Sequence, residues 1–322
     1  MNQPDQTPME GLLADIGGTN ARFALCVPGG EPHSVQVLSC ADYPGLVEAA
    51  QAYLARYAPG FRPATGSFCV ASPVHGDMIA MTNQGWRFSI ESTRRALGLQ
   101  HLTVINDFVA VALSVPRLSS RYRMKIGGGV PMNNAPVAVL GPGTGLGVAL
   151  LIPFDGRWHA VPTEGGHVTM APADDEESSV LSVLRPHFGH VSAERVLSGP
   201  GLVNLYAALG EMDNASPPML EAAAITERAV AGSDPLCVRT LRMFAAMLGT
   251  VAGNLALTSG ALGGVYVAGG IVPRFASMVE SLPFRQRFED KGRFREYNSR
   301  VPTYVITHPY PAFLGLGGLL EA

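Results

Sequence analysis

The chain has 322 residues, 47% of them hydrophobic, enough to bury substantial cores and to build two domains of ordinary size. Charged residues make up only 15% and the formal net charge is −3, so no large basic surface is available to neutralise a polyphosphate backbone, which argues against nucleic acid as a partner. The four cysteines, Cys26, Cys40, Cys69 and Cys237, lie far apart without a C-x-x-C pair, so their spacing argues for neither a disulfide framework nor zinc and reads as small apolar core residues.

The opening stretch MNQPDQTPME is polar and lacks the apolar segment of a secretory signal, and no apolar run approaches the ~20 residues that span a bilayer. A reducing, cytoplasmic setting is the expectation. Short β-type runs alternate with longer helical patterns, predicting an α/β protein whose sheets are covered by helices. In chain order the pattern gives strands 12–15 and 23–27, helix 44–57, strand 67–70, helix 92–97, strand 102–105, helix 108–115 and strands 137–140 and 148–152. Helices follow at 178–188, 192–195, 201–209, 222–231 and 235–259, then strand 265–268, helix 274–282 and strand 303–306.

An internal echo organises these elements. The run Ala14-Asp15-Ile16-Gly17-Gly18-Thr19-Asn20-Ala21-Arg22-Phe23-Ala24-Leu25 can be laid on Val139-Leu140-Gly141-Pro142-Gly143-Thr144-Gly145-Leu146-Gly147-Val148-Ala149-Leu150, each reading strand, Gly-Thr turn, strand. After the first copy the breaker cluster Pro28-Gly29-Gly30 arrives before a helix can form, so the glycines join two strands rather than opening a helix as in dinucleotide-binding and Walker motifs. Two such hairpins predict a duplicated architecture with a ligand held between its halves.

The chemistry follows from these positions. A Gly-Thr turn lets backbone N–H groups approach phosphate oxygens, so Gly17, Gly18, Thr19 and Asn20, with Gly143, Thr144 and Gly145, are candidates to hold a polyphosphate; a turn that merely closes a hairpin is the simpler reading of either one alone. Asp15, at a strand end before the first glycines, can hold a metal ion through water or cap the turn. The run Leu102–Phe108 carries the apolar strand into Asn106-Asp107, where a carboxylate serves as a helix cap or as a base for an attacking hydroxyl; residue chemistry alone favours the cap. Glu164 and His167 flank two glycines, and with Glu194 they form a set able to pair with vicinal hydroxyls of a sugar. The run Asp174-Asp175-Glu176-Glu177 reads as a solvated face or as a charge cluster at a helix N-terminus, and His159, His187 and His190 lack metal-ligand spacing. Gly269 and Gly270 end an apolar strand where backbone can lie flat against a planar group such as adenine, a plain strand-to-helix turn being the equal alternative.

Taken in order, LADIGGTNAR, INDF at 105–108, LGPGTGLG at 140–147, EGGH at 164–167, SAERVLSGPG at 192–201 and AGGI at 268–271 closely resemble the bacterial glucokinase family, outside its zinc-binding branch, in the superfamily that shares its fold with hexokinase and actin. The resemblance spans nearly the whole chain and implies the two-lobed actin-like ATPase (ribonuclease H-like) α/β fold, with a small lobe of residues 1–117 and 308–322, a large lobe of 118–307, a cleft between lobes, and a C-terminal helix near 313–320 returning to the small lobe. It implies ATP-dependent phosphorylation of the 6-hydroxyl of D-glucose to glucose 6-phosphate with Mg2+, by a glycolytic enzyme commonly found as a homodimer. Asp107 would be the general base, with Asn106 beside it on the sugar, and Glu164, His167 and Glu194 would bind the other hydroxyls. Asp15 to Asn20 and Gly141 to Gly147 would hold ATP phosphates and Mg2+, and Gly269 and Gly270 would line the adenosine pocket. Losing any of the three sugar carboxylate or imidazole groups is expected to weaken glucose binding with little change in ATP affinity. No cysteine occurs between Cys69 and Cys237, where the zinc branch carries its cluster. A kinase for another hexose stays open as the near rival. A sugar-responsive regulator is the remote one, since about a dozen residues before the first strand are too few for a DNA-binding module of ~three helices.

Overall fold

Alternation sets the first sheet. In the computed structural model, which describes residues 10–81 and 85–321, Leu12, Ala14 and Ile16 of β1 (Gly11–Ile16) turn to one face and are wholly buried there with Phe68 and Val70 of β4 (Thr65–Val70). Leu46, Ala49, Ala50 and Tyr53 of α1 (Leu46–Tyr57) cover that face. The polar N-terminal stretch before Glu10 lies outside the described residues.

The chain divides into two compact units, Met1–Leu118 with His308–Ala322, and Ser119–Thr307. In the first, β1 pairs antiparallel with β2 (Asn20–Cys26), β2 with β3 (His33–Ser39), and β1 runs parallel to β4, which runs parallel to β7 (His101–Asn106). A small ribbon of β5 (Met78–Ala80) and β6 (Arg87–Ser89) leads into α2 (Ile90–Ala96), and β7 passes directly into α3 (Asp107–Ser114).

The second unit repeats the plan. Here β8 (Arg123–Ile126) precedes an antiparallel meander of β9 (Val137–Pro142), β10 (Leu146–Phe154) and β11 (Arg157–Thr163), and β9 continues through parallel β12 (Gly264–Val267) to parallel β13 (Thr303–Ile306). The order β11-β10-β9-β12-β13 matches β3-β2-β1-β4-β7 strand for strand, with β8 added antiparallel at the far edge. Helices α4 (Asp175–Phe188), α5 (Gly199–Met212), α6 (Ala222–Ala231), α7 (Pro235–Ser259), α8 (Phe284–Glu289) and α9 (Arg295–Arg300) build its core. The last helix, α10 (Pro311–Gly318), belongs to the first unit and packs on α3, β1 and β4; Gly315 lies so close to the Ala110 carbonyl that a Cβ has no room.

The longest helix, α7, runs over the predicted span 235–259. An 18-residue window of α7 has a mean hydropathy of 1.3, long and apolar enough to cross a membrane by composition, yet 72% of that window is buried inside the unit. It is a core helix: Leu241, Phe244, Met247, Leu248, Ala252 and Ala256 are buried, and Gly249 and Gly253 admit the Phe284 and Phe288 carbonyls of α8. Asp234 caps its start by accepting from Leu236 and Cys237, and Gly260, at φ 61°, ends it.

Two predicted helices are shorter or different. Residues 192–195 make a single 3-10 turn, Ala193–Arg195, and 274–281 fall within a 3-10 stretch, Val272–Ser281, broken at Phe275. Leu282 is extended because Pro283 follows, which closes the segment. The acidic run 174–177 is a helix start, with Asp174, Asp175 and Glu176 exposed and Glu177 alone turned inward. Asp174 caps α4, Glu177 is 1% exposed and accepts from Arg287 at 2.6 Å, Arg287 also meets Asp174, and Glu176 meets Arg239. A carboxylate pointing inward from the first turn of α4 is buried only because a guanidinium from α8 arrives beside it.

Candidate active site

In the first unit, β1 delivers Asp15 one residue before the turn. Its register partners are Arg22 on β2 and Cys69 on β4, so three strands converge on one carboxyl. Arg22 Nη1 donates to Asp15 Oδ2 at 2.9 Å, and the Cys69 thiol donates to Oδ1 at 3.5 Å. Burial, followed by the charges of Asp15 and Asp107, pushes the Cys69 thiol far up, so it stays a protonated donor. The turn is closed by Gly17 N–H donating to Asn20 O at 2.9 Å and tethered by Cys40 N–H donating to Thr19 O at 2.8 Å. Among the described residues, the amides of Gly18 and Thr19 find no acceptor, and Thr19 is exposed.

At the end of β7 the capping role falls to Asn106. It is extended at φ −69° and ψ 149°, and its Oδ1 accepts from Phe108 N–H at 2.9 Å and Val109 N–H at 3.3 Å. Asp107 is therefore the first helical residue, its Oδ1 also accepting from Phe108 N–H. Burial and then the Asp15 charge push its carboxyl up to about 7, against the weaker pull of the α3 amides and the Asn106 side chain.

In the second unit the turn has the same length. Gly143 N–H donates to Gly145 O at 2.8 Å, Thr144 is exposed, and the amides of Thr144 and Gly145 find no acceptor among the described residues. Gly141 lies within β9. Gly269, at φ 83°, packs against the Pro142 carbonyl without room for a Cβ, and Ala268 N–H donates to Leu140 O at 2.8 Å, so Gly269 and Gly270 stand beside the end of β9; the Cα of Gly270 faces open space.

Glu164 introduces a 3-10 turn, Gly165–His167, laid on the start of β10: Gly166 is pressed on the Leu146 carbonyl and Gly165 on Val148. Glu164 and His167 are exposed, with His167 Nε2 3.9 Å from Glu164 Oε2. The turn carrying Glu194 packs against this one, and Glu194 Oε2 accepts from Leu146 N–H at 2.8 Å. The three proposed sugar groups thus gather at one end of β10, and Asp15, Asn106 and Asp107 gather at the ends of β1 and β7. Sequence reasoning passed over Arg22 and Cys69. Arg22 sits inside the quoted motif with a strand-partner spacing across the turn, whereas Cys69 follows Asp15 by 54 residues and only the sheet brings it close.

The glucokinase family model matches residues 12–322 of the chain. The glucokinase of Paramagnetospirillum magneticum is 55% identical over 310 residues, covering 96% of this chain and 97% of that one. The chain belongs to the glucokinase family. The glucokinase of Salmonella typhi is 48% identical over 311 residues, 96% of either chain. A solved glucokinase from an Antarctic psychrotroph is 37% identical and matches with a TM-score of 0.87 over 97% of this chain and 98% of that one. The duplicated mixed sheets are those of the actin-like ATPase fold of this family.

Proposed function

We propose that the chain phosphorylates the 6-hydroxyl of D-glucose with ATP, yielding glucose 6-phosphate and ADP, with Asp107 as general base. The observation that carries the base assignment is a carboxyl at a strand end, spared the capping role by Asn106 and held near neutrality by burial and Asp15. A base poised near the working pH takes a proton from the attacking hydroxyl most effectively. The 6-oxygen forms its bond to the γ-phosphorus as the bridge to the β-phosphate breaks, its proton goes to Asp107, and the bridging electrons leave with ADP.

The protein's remaining work is positioning. The unpartnered amides of Gly18 and Thr19, and of Thr144 and Gly145, with the exposed Thr19 and Thr144 hydroxyls, suit phosphate oxygens, because a glycine-rich turn presents N–H groups without a Cβ in the way. Gly17, Asn20, Gly141 and Gly143 shape these turns, and Gly269 and Gly270 offer flat backbone to adenosine. Asn106, Glu164, His167 and Glu194 take the sugar's other hydroxyls. Asp15 would hold Mg2+ through water; one carboxylate completed by substrate phosphates is a donor set that suits this ion, which when bound offsets charge on the transferring group. The reading extends to a cytoplasmic enzyme acting as a homodimer.

A glucose 6-phosphate assay with purified protein, varying hexose and phosphoryl donor independently, tests the reading. Glucose with ATP is the expected best pair. Faster turnover of mannose, fructose or an N-acetylated hexose would make the chain a kinase for that sugar instead.

A further inference from the structure

Glu194 is tied to the second turn as firmly as to the place assigned to the sugar. Its Oε2 accepts the N–H of Leu146, the residue that follows Gly145 and opens β10, at 2.8 Å. Gly145 stands where an added Cβ would meet that same carboxylate, so the missing side chain makes room for it. Five residues beyond Glu194, Gly199 at the start of α5 donates its N–H to Gly143 O at 2.8 Å. The turn 143–145 is thus clamped on both sides by the one segment 194–199. Ser198 reinforces the clamp, because its hydroxyl donates to the Glu194 carbonyl at 2.8 Å and accepts from Gly201 N–H. Glu164 and His167 make no hydrogen bond to the turn through their side chains.

We propose that Glu194 is a positioning residue of the Gly143–Gly145 turn as well as a sugar ligand, so that hexose and nucleotide bind this chain with coupled free energies. The inference rests on the assignment of Glu194 to the sugar and of the turn to nucleotide phosphates. A carboxylate that holds Leu146 N–H through Oε2 still has Oε1 for a sugar hydroxyl. A hydroxyl bonded there fixes the side chain's rotamer, and with it the hydrogen bond that orients the amides of Thr144 and Gly145. Linkage makes the effect reciprocal: a nucleotide that orders the turn orders Glu194 for the sugar.

Titration calorimetry on the full chain tests this, with glucose alone, with the non-transferable analogue AMP-PNP and Mg2+ alone, and with each in the presence of the other. The parent binds glucose more tightly with the analogue present, and the analogue more tightly with glucose, by the same factor. Gly145→Ala, whose backbone is outside the left-handed region, weakens glucose binding without any nucleotide by about tenfold, the value of one charge-assisted hydrogen bond. Glu194→Ala loses about five- to tenfold in analogue affinity without glucose, Glu194→Gln recovers most of it because its amide oxygen still accepts from Leu146, and Glu164→Ala affects glucose alone. Unfolding midpoints confirm that each variant is folded, and Glu194→Gln with Gly145→Ala decides the matter if Glu194→Ala is not. Parent-like glucose binding by Gly145→Ala, with Glu164→Ala and Glu194→Ala both weakened, overturns the coupling while leaving the sugar site intact. Parent-like glucose binding by Glu164→Ala and Glu194→Ala together removes the sugar site itself, and the coupling with it.

Discussion

Asp107 owes its character first to burial and then to a charged neighbour. Asp15 raises its pKa through space, and Arg22 and Cys69 keep Asp15 in place to do so. Only ionised Asp107 can take a proton, so kcat/KM rises with pH through about 7 and levels off above it. Removing the neighbouring charge with Asp15→Asn shifts that limb to lower pH even though overall activity falls; a pH-rate profile for both proteins checks it, and an unmoved limb contradicts the pairing. The stability sign is fixed by the same shift. The folded carboxyl holds its proton to a higher pH than the unfolded one, so this group's contribution is full below about 4 and is lost as pH rises through about 7. Thermal melts at pH 8 should therefore find Asp107→Asn at least as stable as the parent. The strand-end carboxylate was legible in the sequence, but its freedom from capping was not: Asn106 and Asp107 are both good caps, and only the extended backbone at 106 decides between them.

At the scale of elements, the two hairpins were readable because a turn of Gly and Thr between apolar strands has a local signature. Strands β3 and β11 were not, since they lie at sheet edges with mostly exposed or half-buried residues and so lack the alternation that marks a strand. The tie from Glu194 to Leu146 spans 48 residues and left no local trace, which is why nucleotide affinity was expected to be indifferent to all three sugar groups; for Glu194 that expectation changes. Gly143→Val is the variant that probes the turn itself. A Cβ there enters open space, so the fold is kept while the branched methyls crowd the approach to the amides of Thr144 and Gly145. ATP affinity is expected to drop far more than glucose affinity, and titrations showing unchanged ATP binding would count against the turn as a phosphate site.

For the whole molecule, duplication is the main lesson: five strands in the same order and directions occur in each unit, and the shared Gly-Thr echo marks the equivalent hairpins. The large core of the second unit is braced by contacts no pattern predicts, above all Arg287 with Glu177 and Asp174, which lie over a hundred residues away. Arg287→Ala leaves Glu177 buried without its partner and should cost about 3 kcal/mol at pH 7. Burial already raises the Glu177 pKa, so the loss shrinks as acid protonates it. Denaturant unfolding at pH 7 and pH 4 checks this, and an equal loss at both would deny the charge a role.

The measurement that bears most directly on the account is single-turnover formation of glucose 6-phosphate by the parent and by Asp107→Asn, with glucose affinity measured on the same preparations. The account predicts near-parent glucose binding and a transfer rate lower by roughly two to four orders of magnitude, the range for loss of a general base. Near-parent transfer by folded Asp107→Asn would contradict it.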